Sequence, residues 1–189
     1  MPQSRPYSCV VAAATLLLAL GLAPPHSEAA VTQDEAVKVA IIDFTYIDTA
    51  GEPTNQVDVH RKHLQTFMTA LRADFERDAT VHLLPSSCPP LCADDGQRPA
   101  DLLRSAAKAG AKILVTGGIQ KLSTLVQWVK VTAFDVDATR LVFDKLFTFR
   151  GDSDEAWQRA EVFVSQEVRA ALAADRPAHH EARQDGGHQ

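Results

Sequence analysis

Apolar residues recur along the chain with two different periods, which predict a mixture of strands and helices. The segment Val37–Ile42 is a nearly continuous apolar run, typical of a strand that is buried on both faces. Leu125–Asp135 and Arg140–Arg150 alternate apolar with polar residues, as strands with one buried face do. Two shorter apolar runs, Thr80–Leu84 and the one that begins at Ile113, complete a set of five predicted strands.

Three segments carry apolar residues three or four positions apart, which is the spacing of one helical face. The first predicted helix is Val57–Arg77, and the second, Ala100–Ala109, ends before Gly110, a typical C-cap residue. The third begins after Asp152, which we expect to cap it together with a glutamate three positions later. Its apolar stripe opens with Trp157, which is therefore expected in the core.

The resulting order of elements is β-α-β-α-β-β-β-α, which predicts an α/β fold with a single mixed sheet. The first three strands are joined by helices and should be parallel, whereas the last two should form an antiparallel meander. Gly117 and Gly118 lie inside the third strand and are not followed by the spacing of a phosphate-binding loop. We interpret them as the mark of a bulge or of a close backbone approach to a neighbour.

The first 29 residues have the pattern of an export signal. Arg5 precedes the small and apolar run Cys9–Ala23, and small residues at Ser27 and Ala29 favour cleavage before Ala30. The run is shorter than the ~20 apolar residues of a membrane-spanning helix. We therefore expect a signal peptide at 1–29, a single α/β domain at 30–175, a disordered polar tail at 176–189, and a periplasmic or secreted location with no membrane span after cleavage.

Composition and charge narrow the classes of function. The formal net charge is −5, and a mildly acidic chain is a poor binder of nucleic acid, so we expect no nucleic-acid partner. The sequence has neither a G-x-S-x-G segment nor Walker spacing after its glycine pair. We therefore expect no cofactor and no enzymatic activity.

Two cysteines, Cys88 and Cys92, lie in a proline-rich loop of the expected mature chain. In an exported protein, two thiols this close favour a structural disulfide. The alternative is redox or copper chemistry, because exported copper-delivery proteins of the thioredoxin class also use a C-x-x-x-C pair. The sequence leaves both hypotheses open.

A pair of histidines, His60 and His63, is spaced so that both side chains could share one face of the first helix. No carboxylate or cysteine stands at a convincing ligand spacing nearby. Because Arg61 and Lys62 lie between them, we interpret both histidines as solvated and expect no metal site.

Polar residues concentrate at strand ends and at the start of the last helix. One hypothesis is an acid-rich, capped helix start, in which the acidic residues suit the helix dipole. The other is a shared and partly exposed binding surface at one end of the sheet, because turns and helix starts often carry function. The candidate surface consists of Asp48, Lys121, Ser123, Arg150, Asp152, Asp154 and Arg159.

Two segments that contain candidate surface residues resemble a known protein family. They are G-x-Q-K-x-S at Gly118–Ser123 and R-G-x-x-D-E-x-W-x-R at Arg150–Arg159. Together with Asp43-Phe44, Asp48-Thr49 and the cysteine pair, they resemble a family of short exported proteobacterial proteins that is classed as a domain of unknown function. The resemblance covers about residues 37–172, and the chain departs from the family near Thr139, where a glycine usually follows threonine. It implies an exported domain without an assigned activity.

The order of elements also resembles, more distantly, small periplasmic modules of envelope machines. These are the N-terminal domain of the Tol system's propeller protein, the curli secretion lipoprotein and the outer-membrane activators of peptidoglycan synthases. Such modules are adaptors that bind protein partners, so the resemblance at fold level implies an adaptor here as well.

The sequence therefore favours a periplasmic, non-enzymatic accessory or adaptor module that binds a protein partner of the cell envelope. The alternative is a redox or copper-handling protein that uses Cys88 and Cys92. A hydrolase built on Asp48, Lys121 and Asp154 ranks last, because no nucleophile is evident. The adaptor hypothesis expects an exposed sheet edge or an apolar patch rather than a deep pocket.

Overall fold

The computed structural model describes residues 36–85 and 98–185, with side chains described as far as Arg176. Within these ranges, strands and helices alternate much as the apolar periodicity predicts. Their bounds are β1 Val37–Ile41, β2 Thr45–Asp48, α1 Val57–Glu76, β3 Val81–Leu83, α2 Pro99–Lys108, β4 Ile113–Lys121, β5 Val126–Asp135, β6 Arg140–Arg150 and α3 Asp154–Asp185.

The strands form one mixed sheet in the order β3-β1-β4-β5-β6, with β2 paired to β4. The pairs β1–β3, β1–β4 and β2–β4 are parallel, whereas β4–β5 and β5–β6 are antiparallel. Both the α/β class and the predicted change from parallel to antiparallel strands are confirmed. Helices α1 and α2 lead into the parallel strands β3 and β4, whereas β2 follows β1 directly and β4, β5 and β6 follow one another through short turns.

Strand β2 was absent from the sequence-based prediction, which placed a turn from Asp48 onward and no strand before it. The strand occupies the same side of β4 as β1, but further along, where Thr45 lies opposite Gly118. A Cβ atom at Gly117 would lie 2.5 Å from the Lys130 carbonyl oxygen and 2.8 Å from the Phe44 ring. The predicted close backbone approach at this glycine pair is therefore confirmed, and it provides the room in which β2 enters the sheet.

Two hydrophobic clusters cover the two faces of the sheet. Helices α1 and α3 pack on one face, in a cluster that includes Phe67, Leu71, Val129, Trp157 and Val168. Helix α2 packs on the other face, in a smaller cluster of Ala40, Ile42, Ala106, Ala111, Leu114 and Val136. The buried position of Trp157 is as predicted, and the run Val39–Ile42 is buried on both faces of the sheet.

The start of α3 differs from the prediction that Asp152 caps it. The Ser153 hydroxyl accepts the Ala156 backbone N–H at 3.3 Å, so serine provides the N-cap and the prediction for Asp152 was wrong. The other end of α3 extends to Asp185, past Arg176, where we expected the polar tail to begin.

Two sequence-based expectations fall outside the described residues. These are the export signal at 1–29 and the Cys88–Cys92 pair. Among the helices of the described ranges, none is long and apolar enough to cross a membrane.

Candidate functional site

The side chain of Lys121, the last residue of β4, lies buried at one end of the sheet with 1% of its surface exposed. Its ammonium group donates to Glu52 Oε2 at 2.7 Å, to Gln56 Oε1 at 2.6 Å and to Asp152 Oδ2 at 2.7 Å. An ammonium group has three N–H donors, and each of them therefore has an oxygen acceptor. The expectation that Lys121 is partly exposed was wrong, because these three acceptors enclose it.

The turn between β6 and α3 directs Asp152 toward this lysine. Gly151 adopts φ +91°, a conformation that favours glycine, and donates its N–H to the Leu125 carbonyl oxygen at 3.1 Å. The Gln127 side-chain amide donates to the Gly151 carbonyl oxygen at 2.9 Å. The N–H and the C=O of Gly151 are thus both held, by Leu125 just before β5 and by Gln127 of β5, and the next side chain turns inward.

The carboxylate of Asp152 accepts hydrogen bonds from four side chains. Its Oδ2 accepts from Lys121 and, at 2.8 Å, from His60 Nε2, whereas its Oδ1 accepts from Trp157 Nε1 at 3.0 Å and Gln127 Nε2 at 3.1 Å. Burial alone would raise the pKa of Asp152, but the hydrogen bonds from Lys121, His60 and Trp157 outweigh burial and lower it to about 2. Asp152 is therefore ionised at neutral pH.

The same balance acts on the groups around the carboxylate. Burial by itself would lower the pKa of Lys121, yet its hydrogen bonds to Asp152 and Glu52 prevail and raise that pKa. Burial and the nearby carboxylates of Asp48 and Asp152 raise the pKa of the Tyr46 hydroxyl. At neutral pH the lysine is a cation and the tyrosine is neutral.

Both histidines of α1 belong to this cluster, so their interpretation as solvated residues was wrong. His60 is 2% exposed and His63 is 6% exposed. The His60 ring lies 4.9 Å from the Tyr46 ring, and the His63 ring lies 5.1 Å from the Trp157 ring. Because the Asp152 carboxylate is ionised and accepts from His60 Nε2, that nitrogen carries a proton.

We call this group of side chains the Lys121 network. It consists of Tyr46, Asp48, Glu52, Gln56, His60, His63, Lys121, Gln127, Asp152, Asp154 and Trp157. A cleft of about 580 Å³ lies beside the network, between β2 and the first half of α1. Within the described part of the chain, no group of three or more histidines, cysteines or carboxylates could hold a metal ion.

The structure places four of the seven candidate surface residues in or beside the Lys121 network, two in a separate groove, and one in a turn. Asp48, Lys121 and Asp152 meet in the network, since His60 Nδ1 lies 3.6 Å from Asp48 Oδ2. Asp154 joins at the rim, where it lies 2.8 Å from His63 Nε2. Arg150 and Arg159 are exposed and line a separate groove between β6 and α3. Ser123 lies in the β4–β5 turn, where its hydroxyl accepts the backbone N–H groups of Leu125 and Val126.

Sequence reasoning missed the histidines, Glu52 and Gln56 as members of the network. For the histidines a signal was present: they precede Leu64 and Phe67 by four positions each, so they extend the apolar stripe of α1 by one turn. For Glu52 and Gln56 there was none, because both lie in a polar segment before α1 and have the pattern of solvated residues.

Comparisons with known proteins agree with the resemblance at the level of the family and the fold. A family model described as "Protein of unknown function (DUF2380)" matches residues 37–168. A comparison with curated proteins found no match by sequence.

Among solved structures, the protein CT253 from Chlamydia trachomatis is similar over 73% of this chain and 99% of its own, with 12% identity and a TM-score of 0.51. TolB from Acinetobacter baumannii is 19% identical over 75% of this chain, with a TM-score of 0.46, and this chain spans only 29% of the TolB chain. The LpoB C-terminal domain from Salmonella enterica is 12% identical, with a TM-score of 0.41, over 62% of this chain and 85% of its own. These similarities concern the fold alone.

Proposed function

We propose that this chain, which belongs to the family described as "Protein of unknown function (DUF2380)", is an exported, non-enzymatic accessory module that binds a protein partner in the cell envelope. Its binding surface is the end of the sheet that carries Asp48, Ser123, Arg150, Asp154 and Arg159. Lys121 and Asp152 lie beneath that surface and hold it in position.

The observation that carries this proposal is that the two central groups of the Lys121 network, Lys121 and Asp152, are fully engaged in hydrogen bonds. All three donors of Lys121 have oxygen acceptors, and the Asp152 carboxylate has four donors. A general base or an amine nucleophile needs a free lone pair at the operating pH. Lys121 stays protonated and Asp152 stays ionised with both oxygens occupied, so the two groups favour a positioning role over proton transfer or covalent chemistry.

A second observation supports binding of a macromolecule. Strand β6 is the last strand in the sheet order, and the groove beside it contains apolar side chains and two exposed arginines. An exposed strand edge with an apolar groove is a feature that proteins use for association.

The proposal can be tested by site-specific photocrosslinking of the full chain in its native host. A photoreactive amino acid is placed at Arg159 in one strain and at Lys108, on the exposed surface of α2, in a matched control strain. We expect the photoreactive residue at position 159 to form a discrete adduct with a protein, and the one at position 108 to form none. The adduct should appear in the periplasmic fraction. The mass of the chain in that fraction should be that of a protein whose first residue is Ala30.

Three outcomes would contradict the proposal. One is a chain that stays in the cytoplasm with residues 1–29 still attached. Another is equal crosslinking from both positions. The third is a purified chain that turns over a substrate and loses this activity when Lys121 is replaced by methionine while the fold is retained.

A further inference from the structure

The outer edge of β6 is an unpaired strand edge within the described part of the chain. Gly151 donates its N–H to the Leu125 carbonyl oxygen, which makes these two residues a hydrogen-bonded pair that continues the β5–β6 register. Bonded and non-bonded pairs alternate along an antiparallel ladder. The non-bonded positions of β6 are therefore Arg150, Thr148 and Leu146. Their backbone N–H and C=O groups point away from β5.

An apolar groove of about 280 Å³ runs beside this edge, between β6 and the first half of α3. Phe147 and Phe149 form its β6 side, and Ala160 and Phe163 form its α3 side. Phe163 is 51% exposed, although its ring packs edge-on against Phe147 at 5.3 Å. A strand added to β6 would direct every second side chain into this groove.

Two exposed arginines, Arg150 and Arg159, line the same groove. Both side chains are exposed, and within the described residues neither guanidinium group forms a hydrogen bond, although Arg159 interacts electrostatically with Glu155, one helical turn before it. Other arginines are satisfied within the fold, because each of the following pairs with an aspartate: Arg61, Arg72, Arg77, Arg98, Arg104 and Arg140. Two exposed cations beside an apolar groove are complementary to a carboxylate next to apolar side chains.

We infer that an extended, acidic segment of a partner protein adds to the outer edge of β6 as a further strand. Its backbone pairs with Leu146, Thr148 and Arg150, its apolar side chains enter the groove, and an aspartate or glutamate pairs with Arg150 and Arg159. This inference rests on the proposed function and assigns the chemistry of the partner.

A second copy of the chain is a poorer occupant of this edge. Basic residues lie at positions 140, 145 and 150 of β6. A symmetric, full-length pairing of two β6 strands would place Lys145 opposite Lys145 and Arg140 opposite Arg150. Like charges directly opposite each other destabilise an antiparallel pair.

To test this inference, a displayed library of random dodecapeptides is selected for peptides that bind the purified, immobilised chain. We expect the enriched peptides to alternate apolar with other residues and to carry excess aspartate and glutamate. For a synthetic enriched peptide, binding should slow amide exchange at Thr148 and Leu146 at least tenfold. The double variant Arg150→Glu/Arg159→Glu should bind at least tenfold more weakly, whereas the control Arg98→Glu/Arg104→Glu, at the N-cap and on the surface of α2, should bind as the parent chain does.

A proline substitution separates strand addition from side-chain contact alone. The Thr148 N–H points outward, so Thr148→Pro removes a donor to the partner but no bond to β5 and should retain the fold. Peptide binding should fall at least tenfold in Thr148→Pro and stay within twofold in the matched control Thr148→Val.

Enriched peptides that are basic, that bind the cleft at β2, or that tolerate Thr148→Pro would overturn this inference while leaving the proposed binding function intact. Self-association through β6, detected by sedimentation and abolished by Thr148→Pro, would also overturn it. Failure of the proposed function itself would instead appear as the absence of any crosslinked partner at Arg159, together with a library that enriches no peptide.

Discussion

Replacing Lys121 by methionine should destabilise the protein far more than any substitution of an exposed lysine. Methionine has a similar length and no charge, so the change leaves Asp152 and Glu52 beside a buried apolar group. Removing one partner of a buried ion pair costs about 3–5 kcal/mol, because the remaining charge is uncompensated. We therefore expect the free energy of unfolding at pH 7 to fall by that amount in Lys121→Met.

The pKa of Asp152 gives an independent magnitude for part of this loss. Its pKa in the folded chain is about 2, against an ordinary value of 3.8. At 1.36 kcal/mol per unit, the lowered pKa corresponds to about 2 kcal/mol of stability. Because the pKa is lowered on folding, this stability is present above pH ~4 and is lost as the pH falls toward ~2. The deficit of Lys121→Met relative to the parent chain should therefore shrink between pH 5 and pH 2.5.

The assay is urea unfolding followed by tryptophan fluorescence at a series of pH values. Lys130→Met is the matched control, because Lys130 is 47% exposed and pairs with Asp144 on the open part of the sheet at 2.6 Å. An exposed pair of this kind contributes about 1 kcal/mol or less. The reasoning is refuted if the two variants lose equal stability at pH 7, or if the deficit of Lys121→Met is the same at pH 7 and pH 3.

Three further predictions concern other parts of the chain. Trp157→Ala should cost about 3–5 kcal/mol, measured by the same unfolding assay, because the ring is buried; an unchanged melting temperature would contradict its core position. Burial and Asp74 raise the pKa of Glu161 from 4.5 to about 7, so the parent chain loses stability as the pH rises from ~4.5 to ~7. Glu161→Gln should therefore stabilise by about 3 kcal/mol at pH 8 and by little at pH 4, and equal effects at both pH values would contradict this. Cys88 and Cys92 should form a disulfide in protein from the periplasm, seen as a mass two hydrogens lower than that of the reduced chain; Cys88→Ser/Cys92→Ser should then lose about 2 kcal/mol, and free thiols in non-reduced protein would contradict the bond.

The sheet could be predicted from the sequence because its long strands carry strong local periodicity. Val37–Ile42 and Arg140–Arg150 identify strands without reference to the rest of the chain. Strand β2 could not be predicted in this way, since it has four residues and its pairing depends on the space left by Gly118 in a distant strand. The apolar periodicity of a segment predicts a strand or helix that is long enough to show a buried face. It predicts little about a short strand that forms only because a distant strand offers it a pairing partner.

The candidate site shows the same limit at the level of single residues. Three segments that contain Asp48, Lys121 and Asp152 were singled out because polar residues at strand ends and helix starts often carry function. The burial of Lys121 was not predictable, because its acceptors lie 65 residues away at Gln56, 69 away at Glu52 and 31 away at Asp152. From sequence alone, a lysine is predicted to be exposed, because the distant residues that surround it in the fold are not known.

The position of the Lys121 network relative to β6 gives a reason for its presence. A buried ion pair is often no more stabilising than apolar residues of the same volume, so stability alone is a weak reason for one. Asp152, however, is held by donors from four elements: Lys121 of β4, His60 of α1, Gln127 of β5 and Trp157 of α3. It lies two residues after Arg150 and seven before Arg159, so the network fixes the turn from which both arginines project. A binding edge held in this way loses less conformational freedom when a partner strand adds to it, and the energetic benefit of the network then lies in association rather than in folding.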